Sequence, residues 1–327
     1  MSKPGQKNLI TDIAGLQVGN AHDEAALTGS TVILCDQPSV AAVAVAGGGP
    51  GTRETDLLAP DKMVEAVDAV VLSGGSAYGL AAADGVAAEL GAQGRGFAMS
   101  RTPLAGVPTT PIVPAAILYD LSNRGDKNWG ASPPYQSLGR QALSTASSEF
   151  DLGRAGAGFG ARAGQHRGGL GSASIRTDDG IQVGAITAVN SFGSVYMPGT
   201  DAFWAWPFEI DDEFGGARPT VDYSADAEDW GAAKQNPQPR ENTTIACIAT
   251  DVALTTGQAQ RVAQMALSGF SRAIRPVFAP FDGDVVFVLS TSQQALPGPE
   301  PLSLARIGEL AASTLARAIA RGVHEAQ

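Results

Sequence analysis

The chain has few of the residues that metal centres and disulfide frameworks require. It contains two cysteines and three histidines in 327 residues. There is no Cys-x-x-Cys or His-Glu-x-x-His motif, and His22, His166 and His324 have no ligand spacing. Cys35 and Cys247 lie in apolar runs, where we expect small buried residues. The sequence therefore predicts neither a metal site nor a disulfide framework, and it indicates no cofactor.

The sequence also lacks a basic segment and a long apolar segment. Its formal net charge is −11 without a run of lysine or arginine, which argues against nucleic-acid and anionic-membrane partners. No stretch reaches the roughly 18–20 apolar residues of a membrane helix, and residues 1–12 lack the apolar core of a signal peptide. We therefore expect a cytoplasmic protein that acts on a small molecule.

Glycine, in contrast, is abundant at 40 residues, and 44% of the chain is hydrophobic, as in globular proteins with a large core. Apolar runs of strand character alternate with helical patterns, which predicts a layered α/β fold. Within residues 30–46, two apolar runs flank the polar segment 36–39, which predicts a hairpin. Strands are predicted at residues 69–72, 181–189, 243–250 and 284–290, and helices at 78–90, 255–272 and near the C-terminus.

Two motifs that could carry chemistry are incomplete. The glycine cluster at residues 47–52 follows a predicted strand, but no Gly-Lys-Ser/Thr is present to hold phosphates. Ser76 lies at a strand–turn–helix junction, as a serine nucleophile would, yet Tyr78 replaces the second glycine of Gly-x-Ser-x-Gly. A serine hydrolase would need His166 or His22 as its base. The Ser76/His166 pair stays open as one alternative.

A stronger signal is the junction between Asn242 and Thr243. A polar stretch at residues 205–241, rich in Pro, Trp, Gly and acids, runs directly into an apolar strand that begins with Thr243. Cleavage at this junction would give Thr243 a free α-amine with a pKa near 7.7–8.0, which can accept the proton of its own hydroxyl. The alternative is a simple turn that enters a strand.

Asp282 and Asp284 form the third candidate. Residues i and i+2 of extended chain point to one face about 6–7 Å apart, and two carboxylates on one face need a positive group between them. An N-terminal ammonium would meet that need. The alternative is a solvated turn, because Asp-Gly is a common turn dipeptide.

Together these features resemble a family of N-terminal-nucleophile hydrolases that includes L-aminopeptidase/D-esterases, β-aminopeptidases and nylon-oligomer (6-aminohexanoate-oligomer) endohydrolases. The matching segments occur in the same order over nearly the whole chain. They are residues 10–19, 74–80, 153–158, 168–174, 190, 242–245 and 281–284.

The resemblance implies a four-layer α/β/β/α sandwich, shared with ornithine acetyltransferases, in a single domain spanning residues 1–327. It also implies self-cleavage into an α chain of residues 1–242 and a β chain of residues 243–327. The two chains would stay associated, and family members commonly assemble as homo-oligomers, often tetramers of αβ units.

The resemblance further implies that Thr243 is the nucleophile, that Asn190 donates to the oxyanion, and that Asp282 and Asp284 orient the ammonium and hydroxyl of Thr243.

Tyr78 is expected as a packed aromatic residue or as a wall of the substrate pocket. Where relatives often carry a lysine in the Gly-rich loop, this chain has Gln165, followed by His166 and Arg167. Gln165 can donate a hydrogen bond in place of that lysine. Either His166 or Arg167 supplies the positive charge, or the site does not need one.

The function implied is hydrolysis of short peptides or linear amide oligomers, with 6-aminohexanoate oligomers among the candidates. An aminopeptidase/D-esterase and an acyltransferase on the same fold are the alternatives, and a non-enzymatic binding protein is a further one.

Overall fold

The computed structural model describes residues 2–98, 106–235 and 242–327. Its strands are β1 Leu16–Asp23, β2 Thr28–Val45, β3 Thr52–Arg53, β4 Ala66–Ser73, β5 Ala115–Ile117, β6 Arg162–Ala163, β7 His166–Arg167, β8 Gly169–Arg176, β9 Gln182–Asn190, β10 Thr243–Val252 and β11 Val285–Gln294. Its helices are α1 Ala81–Ala92, α2 Tyr135–Ser144, α3 Thr256–Ala273 and α4 Glu300–His324.

One long strand, β2, connects two halves of the main sheet. The strand order is β3-β5-β4-β2-β11-β10-β9-β8, and β1 also pairs with β2. The first part of β2 lies between β1 and β4, whereas residues 40–45 pair with β11. The hairpin predicted at residues 36–39 is therefore wrong. Those residues continue the strand through a register shift, and Pro38, which has no N–H to donate, lies at this irregularity.

Three hydrophobic clusters separate four layers. The first lies between helices α1 and α2 and the sheet half that contains β4. The second lies between the two sheet halves and joins residues such as Ile33 and Leu72 to Ile245 and Phe287. The third lies between β8–β11 and helices α3 and α4. This arrangement confirms the predicted α/β/β/α sandwich.

Strand β10 shows how the sequence produces these layers. Its side chains alternate between the two faces of the sheet. Ile245, Cys247 and Ala249 face the cluster between the sheets, whereas Ala246 and Ile248 face α3 and α4. A strand buried on both faces has to be apolar throughout its length, which accounts for the unbroken apolar run in the sequence.

The helices begin close to the predicted positions. Thr255 caps α3, and its hydroxyl accepts from the backbone N–H of Gln258. Helix α1 begins at Ala81, three residues later than predicted, because residues 76–80 form a 3-10 turn after Gly75 with φ +85°. Strand β1 and helix α2 are elements that the sequence patterns did not reveal. Within the described ranges, no helix has the length and apolar character to cross a membrane.

Candidate active site

Thr243 lies at the start of β10, in the middle of the sheet between β9 and β11. Its side chain is buried, with 3% of the residue exposed. Directly opposite it on β9 is Asn190, the last residue of that strand. Asn242, which precedes Thr243, forms a parallel bridge with Asp282. The sheet therefore brings together four residues, Asn190, Asn242, Thr243 and Asp282, from three chain segments.

The peptide bond between Asn242 and Thr243 is held from two sides. The Thr243 hydroxyl donates to the Asn242 carbonyl oxygen. The backbone N–H of Gly283 donates to the same oxygen at 3.0 Å. A Cβ at position 283 would lie 2.7 Å from Thr243 Oγ1, so glycine leaves the space that the hydroxyl occupies. A hydroxyl group and a backbone N–H thus both donate to the same carbonyl oxygen.

The side chain of Asn242 is buried and makes no hydrogen bond with the described residues. Asn242 is 0% exposed, and neither its amide oxygen nor its amide nitrogen has a partner within residues 2–98, 106–235 and 242–327. A buried polar group that is left unpaired destabilises the folded state by about 1–3 kcal/mol. The fold therefore holds Asn242 in place although the burial of its side chain is unfavourable.

Asp282 and Asp284 are buried just before β11, so the alternative of a solvated turn is wrong. The Asp284 carboxylate accepts from the backbone N–H groups of Thr244 at 2.7 Å and Phe278 at 3.3 Å. Burial, reinforced by the neighbouring Asp282 carboxylate, raises the pKa of Asp284 to about 8. Burial likewise raises the pKa of Asp282 to about 6. The pair therefore retains a proton near neutral pH.

Asn190 lines a cavity of about 260 Å³, here called the first cavity. Its Oδ1 accepts from the backbone N–H of Arg162 at 2.9 Å, and its Nδ2 donates to the carbonyl oxygen of Tyr119 at 2.9 Å. These two bonds fix the orientation of the amide, because a backbone N–H requires the oxygen and a carbonyl requires the nitrogen. Asn190 is thus a rigid amide beside Thr243.

The three loop residues predicted to bind substrate line three different cavities. Gln165 lines the first cavity, and its Nε2 donates to the carbonyl oxygen of Ala233 at 3.1 Å. His166 packs on the ring of Tyr196 at 4.7 Å between centroids and lines a separate cavity of about 460 Å³. Arg167 lines a third cavity. Only Gln165 of these three residues lines the same cavity as Asn190.

Tyr78 and Ser76 lie outside the first cavity. Tyr78 is 52% exposed and packs edge-to-face on Trp129, with ring centroids 6.0 Å apart. Ser76 has a φ of +52° in its 3-10 turn, and its backbone N–H donates to Leu118. No hydrogen bond joins Ser76 to His166 in the described ranges, so the structure does not assemble that alternative pair.

Three charged residues at the first cavity, Asp120, Arg162 and Lys234, are absent from the predicted site. The Nζ of Lys234 donates to the Asn190 carbonyl oxygen at 3.3 Å, and its charge acts to lower the pKa of Asp282 against the larger effect of burial. Asp120 is buried, and it accepts from the Thr28 hydroxyl at 2.6 Å and the Gly75 N–H at 2.7 Å. Burial raises the pKa of Asp120 to about 6. Lys234 is the only lysine in residues 205–241. This isolated charge is the one feature of the sequence that could have pointed to Lys234.

Known proteins share this architecture. The L-aminopeptidase D-Ala-esterase/amidase from Ochrobactrum anthropi, whose structure is a variant of the Ntn-hydrolase fold, superposes with a TM-score of 0.67. The alignment covers 98% of this chain and 87% of that chain at 18% identity. The described arrangement therefore has the Ntn-hydrolase fold.

The sequence comparisons specify the family. The pattern of Peptidase family S58 matches residues 8–327, and the chain belongs to this family. An uncharacterized aminopeptidase of Mycobacterium tuberculosis strain H37Rv is 40% identical over 98% of this chain and 94% of its own length. A 6-aminohexanoate-oligomer endohydrolase of Kocuria sp. strain KY2 is 31% identical over 90% and 78%, respectively. The protein is accordingly a hydrolase of amide or peptide bonds.

Proposed function

We propose that the chain cuts itself between Asn242 and Thr243, and that the new N-terminal Thr243 then hydrolyses amide bonds in short peptides or linear amide oligomers. The observation that carries the proposal is the pair of contacts on the Asn242 carbonyl oxygen. The Thr243 hydroxyl donates to it from one residue away, and the Gly283 N–H donates to it at 3.0 Å.

Self-cleavage begins with attack of Thr243 Oγ1 on the Asn242 carbonyl carbon. The Gly283 N–H stabilises the charge that develops on the carbonyl oxygen. The C–N bond breaks, the nitrogen takes up the proton that the hydroxyl loses, and an ester joins Asn242 to Thr243. Water hydrolyses this ester. The products are an α chain of residues 1–242 and a β chain of residues 243–327, the latter starting with a free hydroxyl and a free amine.

Substrate hydrolysis uses the same hydroxyl. The Thr243 amine accepts the hydroxyl proton as the oxygen attacks the substrate carbonyl. Asn190, held rigidly by Arg162 and Tyr119, donates to the developing oxyanion. The new ammonium lies among the carboxylates of Asp282 and Asp284, which orient it. The acyl-enzyme ester on Thr243 is then cleaved by water.

The substrate class is supported by the size of the site and by the relatives. A first cavity of about 260 Å³ suits a short chain better than a folded polypeptide. The Kocuria relative is named for its action on 6-aminohexanoate oligomers, and we extend that substrate class to this chain. An assembly of αβ units into a homo-oligomer and a cytoplasmic location complete the proposal, and both rest on the sequence alone.

The test is a substrate panel assayed with matched variants. The wild type should hydrolyse at least one of a 6-aminohexanoate oligomer, a β-peptide and an aminoacyl anilide. Thr243→Ala should abolish this activity, whereas Ser76→Ala should retain it. An active Thr243→Ala together with an inactive Ser76→Ala would support the Ser76 alternative. Failure of the wild type to hydrolyse any of these amides would refute the proposal.

The same assay separates the alternatives on this fold. Hydrolysis of an N-acetylated oligomer indicates an endohydrolase, because an aminopeptidase requires the free amine. Transfer of the acyl group to an added amine in preference to water indicates an acyltransferase.

A further inference from the structure

A third cavity opens beside the first. It has a volume of about 210 Å³ and shares the lining residues Asn123, Gly160 and Arg162 with the first cavity, so the two are adjacent. Arg154 and Arg167 line it as well. We call this space the arginine cavity, because three arginines belong to its lining.

These three arginines have no carboxylate partner among the described residues of a strongly acidic protein. The formal net charge is −11, and several other arginines are paired with carboxylates, as Arg306 is with Asp179. No ion pair joins Arg154, Arg162 or Arg167 to a carboxylate within the described part of the chain. A local excess of positive charge therefore surrounds this cavity and attracts anions.

The backbone holds two of the charges together. Strands β6 and β7 form a two-stranded ribbon in which Arg162 lies directly opposite Arg167. Opposed residues of an antiparallel pair have their Cβ atoms about 4.5–5.5 Å apart on one face, and like charges there are destabilising. Arg154 is positioned separately, with its guanidinium 5.0 Å from the ring centre of Phe159. An anion between these groups would relieve the repulsion.

The arginine cavity is connected to the reacting residues by direct contacts. The backbone N–H of Arg162 donates to Asn190 Oδ1, and Asn190 lies opposite Thr243 across the strand pair. The Arg162 backbone is therefore within about 10 Å of Thr243. A short substrate that reacts at Thr243 can place its far end among the arginines.

We propose that Arg154, Arg162 and Arg167 bind the terminal carboxylate of the substrate. This inference rests on the proposed function and specifies its substrate class as short linear amides with a free carboxylate. Guanidinium groups bind carboxylates through two parallel hydrogen bonds, which fixes orientation as well as affinity. In a substrate with one amide bond, that carboxylate lies on the leaving fragment, since the acyl carbon is the one attacked by Thr243.

The test compares two substrates that differ in one group, the linear 6-aminohexanoate dimer and its C-terminal amide. The wild type should prefer the free acid in kcat/KM by about 10- to 100-fold, the range expected for hydrogen bonds to a charged group. The double variant Arg162→Gln/Arg167→Gln should lose this preference through a higher KM for the acid. Its KM for the amide should change little.

The matched control is Arg261→Gln, an exposed arginine on α3 that donates to Gln264. It should keep the wild-type preference. Equal kcat/KM for the two substrates in the wild type, or an unchanged preference in the double variant, would overturn the proposal.

A binding measurement keeps this inference separate from the proposed function. If neither substrate is hydrolysed, the proposed function fails, but calorimetric titration of uncut Thr243→Ala with hexanoate and hexanamide still tests the subsite. Hexanoate should bind at least 10-fold more tightly than hexanamide, and the two arginine substitutions should remove the difference. Equal affinities would refute the carboxylate subsite.

Discussion

A single added methyl group at Gly283 should block self-cleavage. The Cβ of Gly283→Ala would lie 2.7 Å from Thr243 Oγ1 and 2.8 Å from the carbonyl oxygen of Gly49. Gly283 does not have a positive φ, so the substitution introduces no strain of its own in the backbone. The perturbation is therefore directed at the nucleophilic hydroxyl and the chain beside it.

The size of the effect follows from the displacement. Ordinary contacts of a Cβ begin near 3.4 Å, so the Thr243 hydroxyl must move by about 0.7 Å to accommodate the methyl group. A misplacement of about 1 Å lowers the rate of a positioned reaction by about 100-fold. We therefore expect processing of Gly283→Ala to slow by about two orders of magnitude.

The assay follows the fraction of uncut chain by denaturing gel and intact mass over time after synthesis. Gly257→Ala is the matched control, because a Cβ at that position meets nothing within 4 Å. It should be processed like the wild type. A crowded methyl group destabilises a protein by about 1–3 kcal/mol, so a thermal unfolding curve should show that Gly283→Ala is still folded. Processing of folded Gly283→Ala at the wild-type rate would refute the reasoning.

Three further outcomes are expected. Asn190→Asp removes the N–H donor and should lower kcat of the processed enzyme by about 100- to 1,000-fold, yet it should leave self-cleavage intact because Gly283 contacts that carbonyl. Uncut Thr243→Ala should lose stability as pH rises from about 4 to about 8, because the raised pKa of Asp284 makes the folded state hold a proton that the unfolded chain releases. Arg317→Ala should destabilise the protein by about 1.5–3 kcal/mol in urea unfolding, because it removes the hydrogen bonds of the nearer of two charge partners of buried Glu213 and leaves only Arg321 at 3.6 Å.

Each of these outcomes has a control. Asn190→Asp that stays uncut would contradict the separate role of Gly283. Adding Asp284→Asn to the uncut protein should reduce its loss of stability between pH 4 and 8 to the part caused by the raised pKa values of Asp120 and Asp282. An unchanged pH dependence would show that Asp284 is not a cause. Arg306→Ala, which breaks an exposed pair with Asp179, should change stability by less than about 1 kcal/mol. An equal loss in Arg306→Ala and Arg317→Ala would show that burial is not the cause.

Much of the central sheet could be predicted because its signal is local. The strand from Thr243 is buried on both faces and therefore reads as an unbroken apolar run, and α3 carries its own capping residue at Thr255. The positions of Asn190 and Thr243 in sequence could be found, but their pairing across β9 and β10 depends on register. Register is a property of the assembled sheet and has no short-range pattern.

The site residues that the sequence did not predict are brought to the site by the tertiary structure. Lys234 lies in a polar stretch without periodicity, and nothing in the sequence places its ammonium on the carbonyl of Asn190. The predicted hairpin at residues 36–39 failed because a polar break with Pro38 has the same pattern in a turn and in a bulged strand. Two arginines of the arginine cavity, Arg162 and Arg167, are brought together by a ribbon of only two residues per strand, which is too short for periodicity to reveal.

The most direct test of the account is the intact mass of the purified wild type and of Thr243→Ala under denaturing conditions. The account predicts that the wild type gives two pieces of about 25 and about 9 kDa, the 33.3 kDa of the chain divided between residues 1–242 and 243–327. Thr243→Ala should remain a single chain. A wild type that stays whole after long incubation, or that is cut at another position, would contradict the N-terminal threonine mechanism.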